Sequence, residues 1–390
     1  MQVIEQIGQL KLNQTPSETY SDAVRPLFSD APQPGESIEL AAGLWLLRLP
    51  LASVLDHINV YVLEDKDGWT LVDTGNNTPV CRKALAAAFD RGIFAQKPIT
   101  RVIATHYHPD HLGLAGMICD RGAVFQTTQA CWLHARWLQL EQRNLPCPEE
   151  ISFVERVGMK GMELAAFCRR EPSDYSNLVL PIPYAYQRIR QGDRLKIGAR
   201  CWTIHLGYGH AAEHATLWSD DGFAISGDQI LPRISANLSV HPSEPDADLV
   251  AEWVESCWRF AKLATKETVC LPGHNLPFTG VSTRCRQMIS SQEAVLNRLL
   301  SHLTRPSTAI DCLETVYRRQ LQPHERNVLI AETLGYLNHL YHRGIIKRDV
   351  GADRAYLWYR ANPRDRDLQI CFNEPKSNNL TFMVEDNDDK

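Results

Sequence analysis

Seven consecutive residues, Thr105-His106-Tyr107-His108-Pro109-Asp110-His111, carry four groups able to hold a metal ion. They follow a short apolar run, residues 102–104, that reads as a buried strand. Side chains alternate where a strand runs into a loop, so His106 and His108 point to one side and can address one ion. Asp110 and His111 follow where the chain turns, and can address a second ion nearby. Imidazole and carboxylate donors together suit Zn²⁺, and they also accept iron or manganese. The bland alternative is a polar turn that happens to be rich in histidine. The rest of the chain supplies matching partners, which argues against it.

Positioning such donors takes a strand-rich scaffold. Residues 44–49, 58–63 and 69–72 are short apolar runs bounded by turn signals, and read as strands. The last two form a hairpin across Asp65-Lys66-Asp67-Gly68. Residues 79–89 have helical spacing. Residues 193–198 have turn-and-strand character, residues 201–206, 223–226 and 268–271 are further strands, and residues 246–264 form a helix. Between the two strand-rich blocks, residues 127–170 look helical, with helices expected over 129–140 and 153–167. An insertion so placed forms a wall or lid over a site.

From residue 283 the character changes to helices, over 286–303, 307–320 and 325–343. Ser307 is the expected N-cap of the second, and Gly344 stops the third. Residues 345–349 and 355–360 then resemble a hairpin, so this region reads as a winged-helix-like module. It is mildly basic, with fourteen Lys/Arg against nine Asp/Glu over residues 281–370. The expected organisation is an N-terminal arm (1–37), an α/β catalytic domain (38–282, with the helical insertion at about 127–190), the winged-helix-like domain (283–370) and a polar, disordered tail (371–390).

The chain has 390 residues, 44% of them hydrophobic, enough for a large core. A formal net charge of −5 speaks against non-specific coating of nucleic acid or membrane. Eleven scattered cysteines with no Cys-x-x-Cys pair make neither a disulfide framework nor a cysteine zinc site. The N-terminus shows no secretory pattern, and no stretch approaches the ~20 apolar residues of a membrane span. A cytoplasmic protein with a small-molecule substrate and no membrane partner is expected. Nucleic acid stays a secondary possibility, and the sequence carries no signal for oligomeric state.

The histidine segment resembles the His-x-His-x-Asp-His signature of the metallo-β-lactamase superfamily, and the surrounding pattern is similar to its glyoxalase-II-like branch. Four other landmarks follow the family's order: Leu71-Val72-Asp73-Thr74-Gly75, Gly209-His210, Ser226-Gly227-Asp228 and Pro272-Gly273-His274. The resemblance covers about residues 40–280 and implies an αββα sandwich with two divalent cations, zinc first. It assigns His106, His108 and His210 to one ion, Asp110, His111 and His274 to the other, and Asp228 to both. That set leaves room for a bridging hydroxide. Asp73 is then an orienting group, or else a simple turn aspartate. His57, Tyr208, His214, Arg233 and Asn237 are candidates for the pocket or for support of the ligands. His210 and His214 are four apart, but Glu213 does not follow His210, so the His-Glu-x-x-His protease reading fails.

These residues imply hydrolysis by a metal-activated water, with Asp110 or that water itself handling the proton. There is no Gly-x-Ser-x-Gly nucleophile elbow. The leading substrate class is a thioester or ester, of the acyl-glutathione or acyl-CoA type. An endoribonuclease, a lactonase and an iron-dependent persulfide dioxygenase are the alternatives. A true β-lactamase is disfavoured because Asp228 stands where some of those enzymes need cysteine and others lack a bridging aspartate.

Overall fold

The structure, a computed structural model, describes residues 23–51, 55–172, 174–319, 321, 326–362 and 368–375. Two seven-stranded sheets face each other. One holds β2 (Ser37–Ala41), β3 (Leu44–Pro50), β4 (His57–Glu64), β5 (Trp69–Val72), β6 (Ile99–Ile103), β7 (Val124–Thr127) and β8 (Gln187–Arg188), in that spatial order. The other runs β1 (Arg25–Pro26), β14 (Phe278–Thr279), β13 (Val269–Pro272), β12 (Phe223–Gly227), β11 (His214–Ser219), β10 (Arg200–Gly207) and β9 (Arg194–Ile197). Helices α1 (Pro79–Phe89), α2 (Pro109–Leu112), α3 (Ala115–Cys119) and α4 (Gln129–Leu140) belong to the first sheet's half. Helix α7 (Leu249–Leu263) and the C-terminal helices belong to the second's. The layers are therefore αββα.

Burial explains the sequence pattern. Strand β4 is buried at seven successive positions, and β5 and β12 are buried throughout, so they read as continuous apolar runs rather than alternations. Leu46, Tyr61, Ile204 and Ile225 pack between the sheets. Val60, Val102, Phe125 and Cys131 fill the space under α1–α4, and Trp253, Cys285, Leu299 and Leu337 fill the third core.

Most strands are antiparallel, but β5–β6–β7–β8 and β12–β13 are parallel. Each sheet thus presents at least two neighbouring carboxyl ends at one edge of the sandwich. This is where an α/β fold leaves an open crevice.

The insertion departs from expectation at one point. Residues 153–167 are not one helix. They split between α5 (Pro148–Arg156) and α6 (Gly161–Phe167). Gly158 takes φ +103°, and a Cβ there would sit 2.7 Å from Thr308 Cβ. The chain reverses where the C-terminal region packs against it, and only glycine fits.

The C-terminal region contains α8 (Val281–His302), α9 (Ala309–Tyr317) and α10 (Arg326–His342), then the hairpin β15 (Ile346–Val350)–β16 (Tyr356–Arg360). The cap of α9 is Thr308, whose side chain exchanges bonds with Asp311. Ser307 pairs instead with Trp358 of β16 through backbone bonds. The expected helix ends Gln320 and Glu325 lie outside the described residues, as do residues 1–22 of the arm and the tail beyond Pro375.

The described part of the arm is not loose, since Arg25 and Pro26 pair with Thr279 and Phe278. Residues 371–375 are not free either. The Phe372 N–H donates to Glu293 Oε1 at 2.6 Å, and Lys262 Nζ donates to the Pro375 carbonyl at 2.8 Å. Among the described residues, no helix is long and apolar enough to cross a membrane.

Asp248 ties the two regions together. Its carboxylate accepts the Ala251 N–H at 3.0 Å, capping α7, and pairs with His339 of α10 at 2.9 Å. Burial raises the Asp248 pKa, but the bond and charge of His339 outweigh it and hold the pKa below the usual value. A carboxyl with a depressed folded pKa stabilises above its unfolded value of about 3.9, and that contribution fades as pH falls. Asp248→Ala is expected to cost about 1–2 kcal/mol at neutral pH. Urea melts of both proteins should show the gap narrowing below pH ~4.

Candidate metal centre

The site is assembled where the parallel strands end. After β5, Asp73 turns out of the sheet with φ +65°, and its N–H donates to the Ile103 carbonyl at 2.8 Å. After β6 come Thr105 and His106. The second sheet delivers Asp228 just past β12 and His274 just past β13, and the loop between β10 and β11 carries His210. Backbone approach is tight here. A Cβ on Gly273 would lie 2.6 Å from Asp228 Oδ1 and 2.8 Å from His111 Cε1, so a side chain at position 273 would displace the centre.

All seven donors converge. His106 Nε2 lies 2.9 Å from His108 Nδ1 and 3.3 Å from His210 Nε2. Donors about 2.0–2.1 Å from a shared tetrahedral ion are separated by a comparable distance, roughly 3.3 Å. Asp110 Oδ2 lies 3.3 Å from His274 Nε2 and 3.7 Å from His111 Nε2. Asp228 stands between the groups. Its Oδ1 is 3.4 Å from both His111 Nε2 and His274 Nε2, and its Oδ2 is 3.7 Å from His210 Nε2.

The donor set fits cations. His111 Nε2, His274 Nε2 and Asp228 Oδ1 are buried, and among the described residues none makes a well-formed hydrogen bond, although they approach one another to 3.4 Å. Leaving such atoms unsatisfied costs roughly 1–3 kcal/mol each. A cation among them removes that penalty.

The electrostatics divide the centre in two. Burial, then the neighbouring His111, drives His106 far below its ordinary pKa; burial, then His210, lowers His108 to about 3. Burial also lowers His210. These three rings are neutral, lone-pair donors. In the other half, burial opposes charging His274, but Asp228 and Asp110 outweigh it and raise the ring to about 10. His111 is raised likewise, by Asp228, Asp73 and Asp110 against its burial.

The rings are held from behind, which fixes which nitrogen faces the centre. His111 Nδ1 meets Asp73 Oδ2 at 2.7 Å, His210 Nδ1 meets the Asn237 carbonyl at 2.9 Å, and His274 Nδ1 meets the His57 carbonyl at 2.8 Å. Thr105 joins the two halves. Its hydroxyl donates to Asp73 at 2.9 Å and can accept from His106 Nδ1 at 3.0 Å. Thr105 was not singled out in the sequence, although its place directly before His106 is a signal. Asn59 and Tyr61 were also missed. Their side chains donate to the Pro272 carbonyl at 2.9 and 2.8 Å, fixing the loop of His274.

The weaker candidates separate. His214 is buried beneath the centre, stacked on His106 with centroids 4.5 Å apart, and its Nε2 accepts the Asp228 N–H at 3.2 Å. His57 lies behind the centre too, its ring accepting the Asn275 N–H at 2.8 Å and contacting Asp56. Neither lines the cavity beside the metal centre. Tyr208 and Arg233 do not line the cavity beside the metal centre. Tyr208 is turned outward at 36% exposure. Arg233 is exposed, whereas Leu231, Ile234 and Asn237 of the same loop do line the cavity.

That loop is tied from two sides. Arg284 of α8 donates to the Leu231 and Ile234 carbonyls at 2.6 and 2.9 Å. On the α10 side, Ser239 Oγ donates to the Val328 carbonyl and the Val240 N–H to the Ala331 carbonyl. The cavity itself measures about 780 Å³ and is walled by α5, α6, this loop and α10, with His108, Asp110, His210, Asp228 and His274 lining it along one side.

Fold and donor set together define a metallo-hydrolase. The chain belongs to the metallo-beta-lactamase superfamily, whose model matches residues 54–274. A second family, the metallo-beta-lactamase-like C-terminal domain, matches residues 296–361. A probable metallo-hydrolase of Bacillus subtilis, YqjP, is 24% identical over 309 residues, spanning 75% of this chain and 90% of its own. A beta-lactamase domain protein from Burkholderia ambifaria superposes with a TM-score of 0.79 at 34% identity, covering 88% of this chain and 99% of that one. The metallo-beta-lactamase family protein TTHA1429 from Thermus thermophilus gives 0.68 at 26% identity, over 83% and 100%.

Because Asp73 orients His111 and holds Thr105, Asp73→Asn is expected to weaken divalent-cation affinity by 10–100-fold. Competition with a chromophoric chelator would measure this. Equal affinities in variant and parent would remove the orienting role.

Proposed function

We propose that the chain hydrolyses thioesters or esters, of the acyl-glutathione or acyl-CoA kind, with two divalent cations, most simply zinc. The observation that carries the reading is Asp228, with one carboxylate oxygen turned to each donor group at the wall of a largely apolar cavity. His106, His108 and His210 would hold one cation, Asp110, His111 and His274 the other, and Asp228 would serve both. The cations, when bound, supply Lewis acidity and lower the pKa of water.

The residues of the chain do the rest. The cavity wall excludes bulk water from the acyl group, which strengthens every charge interaction at the centre. Water adds to the carbonyl carbon and the carbon–sulfur or carbon–oxygen bond breaks. Asp110, which faces the cavity, is placed to pass the proton of that water to the leaving atom. His214 keeps Asp228 aimed through its backbone N–H. The apolar walls favour an acyl body over the phosphate backbone of RNA, which would call for a dense basic surface.

Elemental analysis should find two equivalents of divalent metal per chain, and fewer in Asp228→Ala. Thioester cleavage should be lost in that variant and on chelation, and return with Zn²⁺. A single iron with no hydrolysis on an acyl panel would overturn the reading in favour of dioxygenase chemistry. Cleavage of a structured RNA alone would favour a nuclease.

A further inference from the structure

We infer that the cavity beside the metal centre takes a hydrocarbon chain, so that the acyl group cleaved there is a medium-length to long aliphatic one. The inference rests on the acyl-hydrolysis reading above and adds its substrate class.

The volume of about 780 Å³ lies well within the range of cavities that enclose a whole small ligand. Its lining is sorted by chemistry. The metal-site donors gather along one side. Facing the rest of the space are Phe153 and Val157 from the insertion, Leu231 and Val240 from the loop after Asp228, and Ile330 from α10. All five are buried, between 1% and 7% exposed. Three separate stretches of the chain thus contribute apolar side chains to one space.

Of the other polar lining residues, Arg170, Ser235 and His241 are exposed and mark the mouth, while Glu150, Asn237 and Ser239 are half-buried. Among the described lining residues, Arg170 is the one Lys or Arg. A sugar, peptide or nucleotide body would leave polar atoms unpaired where it met the five buried apolar side chains. A very small acyl group would leave most of the space unfilled. An aliphatic chain satisfies both conditions, and it leaves the polar leaving group at the mouth, near Arg170.

The test is a homologous series of acyl thioesters, from acetyl to dodecanoyl, with the metal-loaded protein. Each methylene that enters the cavity is worth about 0.8 kcal/mol, so kcat/KM should rise by about three- to fourfold per CH₂ until the space is filled. Val157→Phe, which adds bulk at a buried lining position, should move the optimum to shorter chains. Ala331→Leu narrows the α10 wall and should act in the same direction, in case the first variant fails to fold.

A second readout needs no turnover. Decan-1-ol should bind the chelator-treated protein far more tightly than butan-1-ol by calorimetry, and Val157→Phe should weaken it. Hydrolysis that is indifferent to chain length would overturn this inference while leaving the acyl-hydrolysis reading intact. Failure to cleave any acyl thioester or ester would overturn that reading, and absence of decan-1-ol binding would then dispose of the hydrocarbon site as well.

Discussion

Everything around the centre follows from burying Asp228. A carboxylate removed from water is tolerated only when opposite charge or strong donors surround it. Here it faces His111 and His274 with one oxygen and His210 with the other. Holding that arrangement requires ligands from both sheets, and hence two sheets pressed face to face with their parallel strand ends at one edge. The close approach of Gly273 and the bonds from Asn59 and Tyr61 to Pro272 serve the same constraint.

Much of this was legible in the sequence, and the reason is local. The seven donors sit within a few residues of strand ends, Asp110 and His111 in the short helix α2, in segments whose residue types are unusual together, and the helices over 79–89 and 129–140 have their observed limits. What the sequence hid was long-range. Strand β11 reads His-Ala-Thr-Leu-Trp-Ser, without a clear apolar run, because Thr216 is buried and its hydroxyl is satisfied by the His205 carbonyl of the neighbouring strand. The break between α5 and α6 depends on Thr308, 150 residues away in the chain. The capping role of Thr308 over Ser307 was set by a strand pairing with Trp358.

The outer residues show the same limit. Loop position alone cannot say which of Arg233, Ile234 and Asn237 turns inward, and the answer comes from Arg284, 50 residues beyond Ile234, gripping the loop's carbonyls. His57 and His214 look like substrate groups by proximity, yet they lie behind the ligands.

The loop that follows Asp228 therefore joins parts of the molecule that two distinct family models cover. Its Asn237 carbonyl orients His210, while its next residues bond to α10, where Glu332 receives the Leu238 N–H. Opening of α10 would release the strap that aims His210, and loosening His210 would free one side of α10. The two segments then share one cooperative unfolding unit, so that amide protection in a C-terminal helix reports on the state of a histidine in the catalytic half.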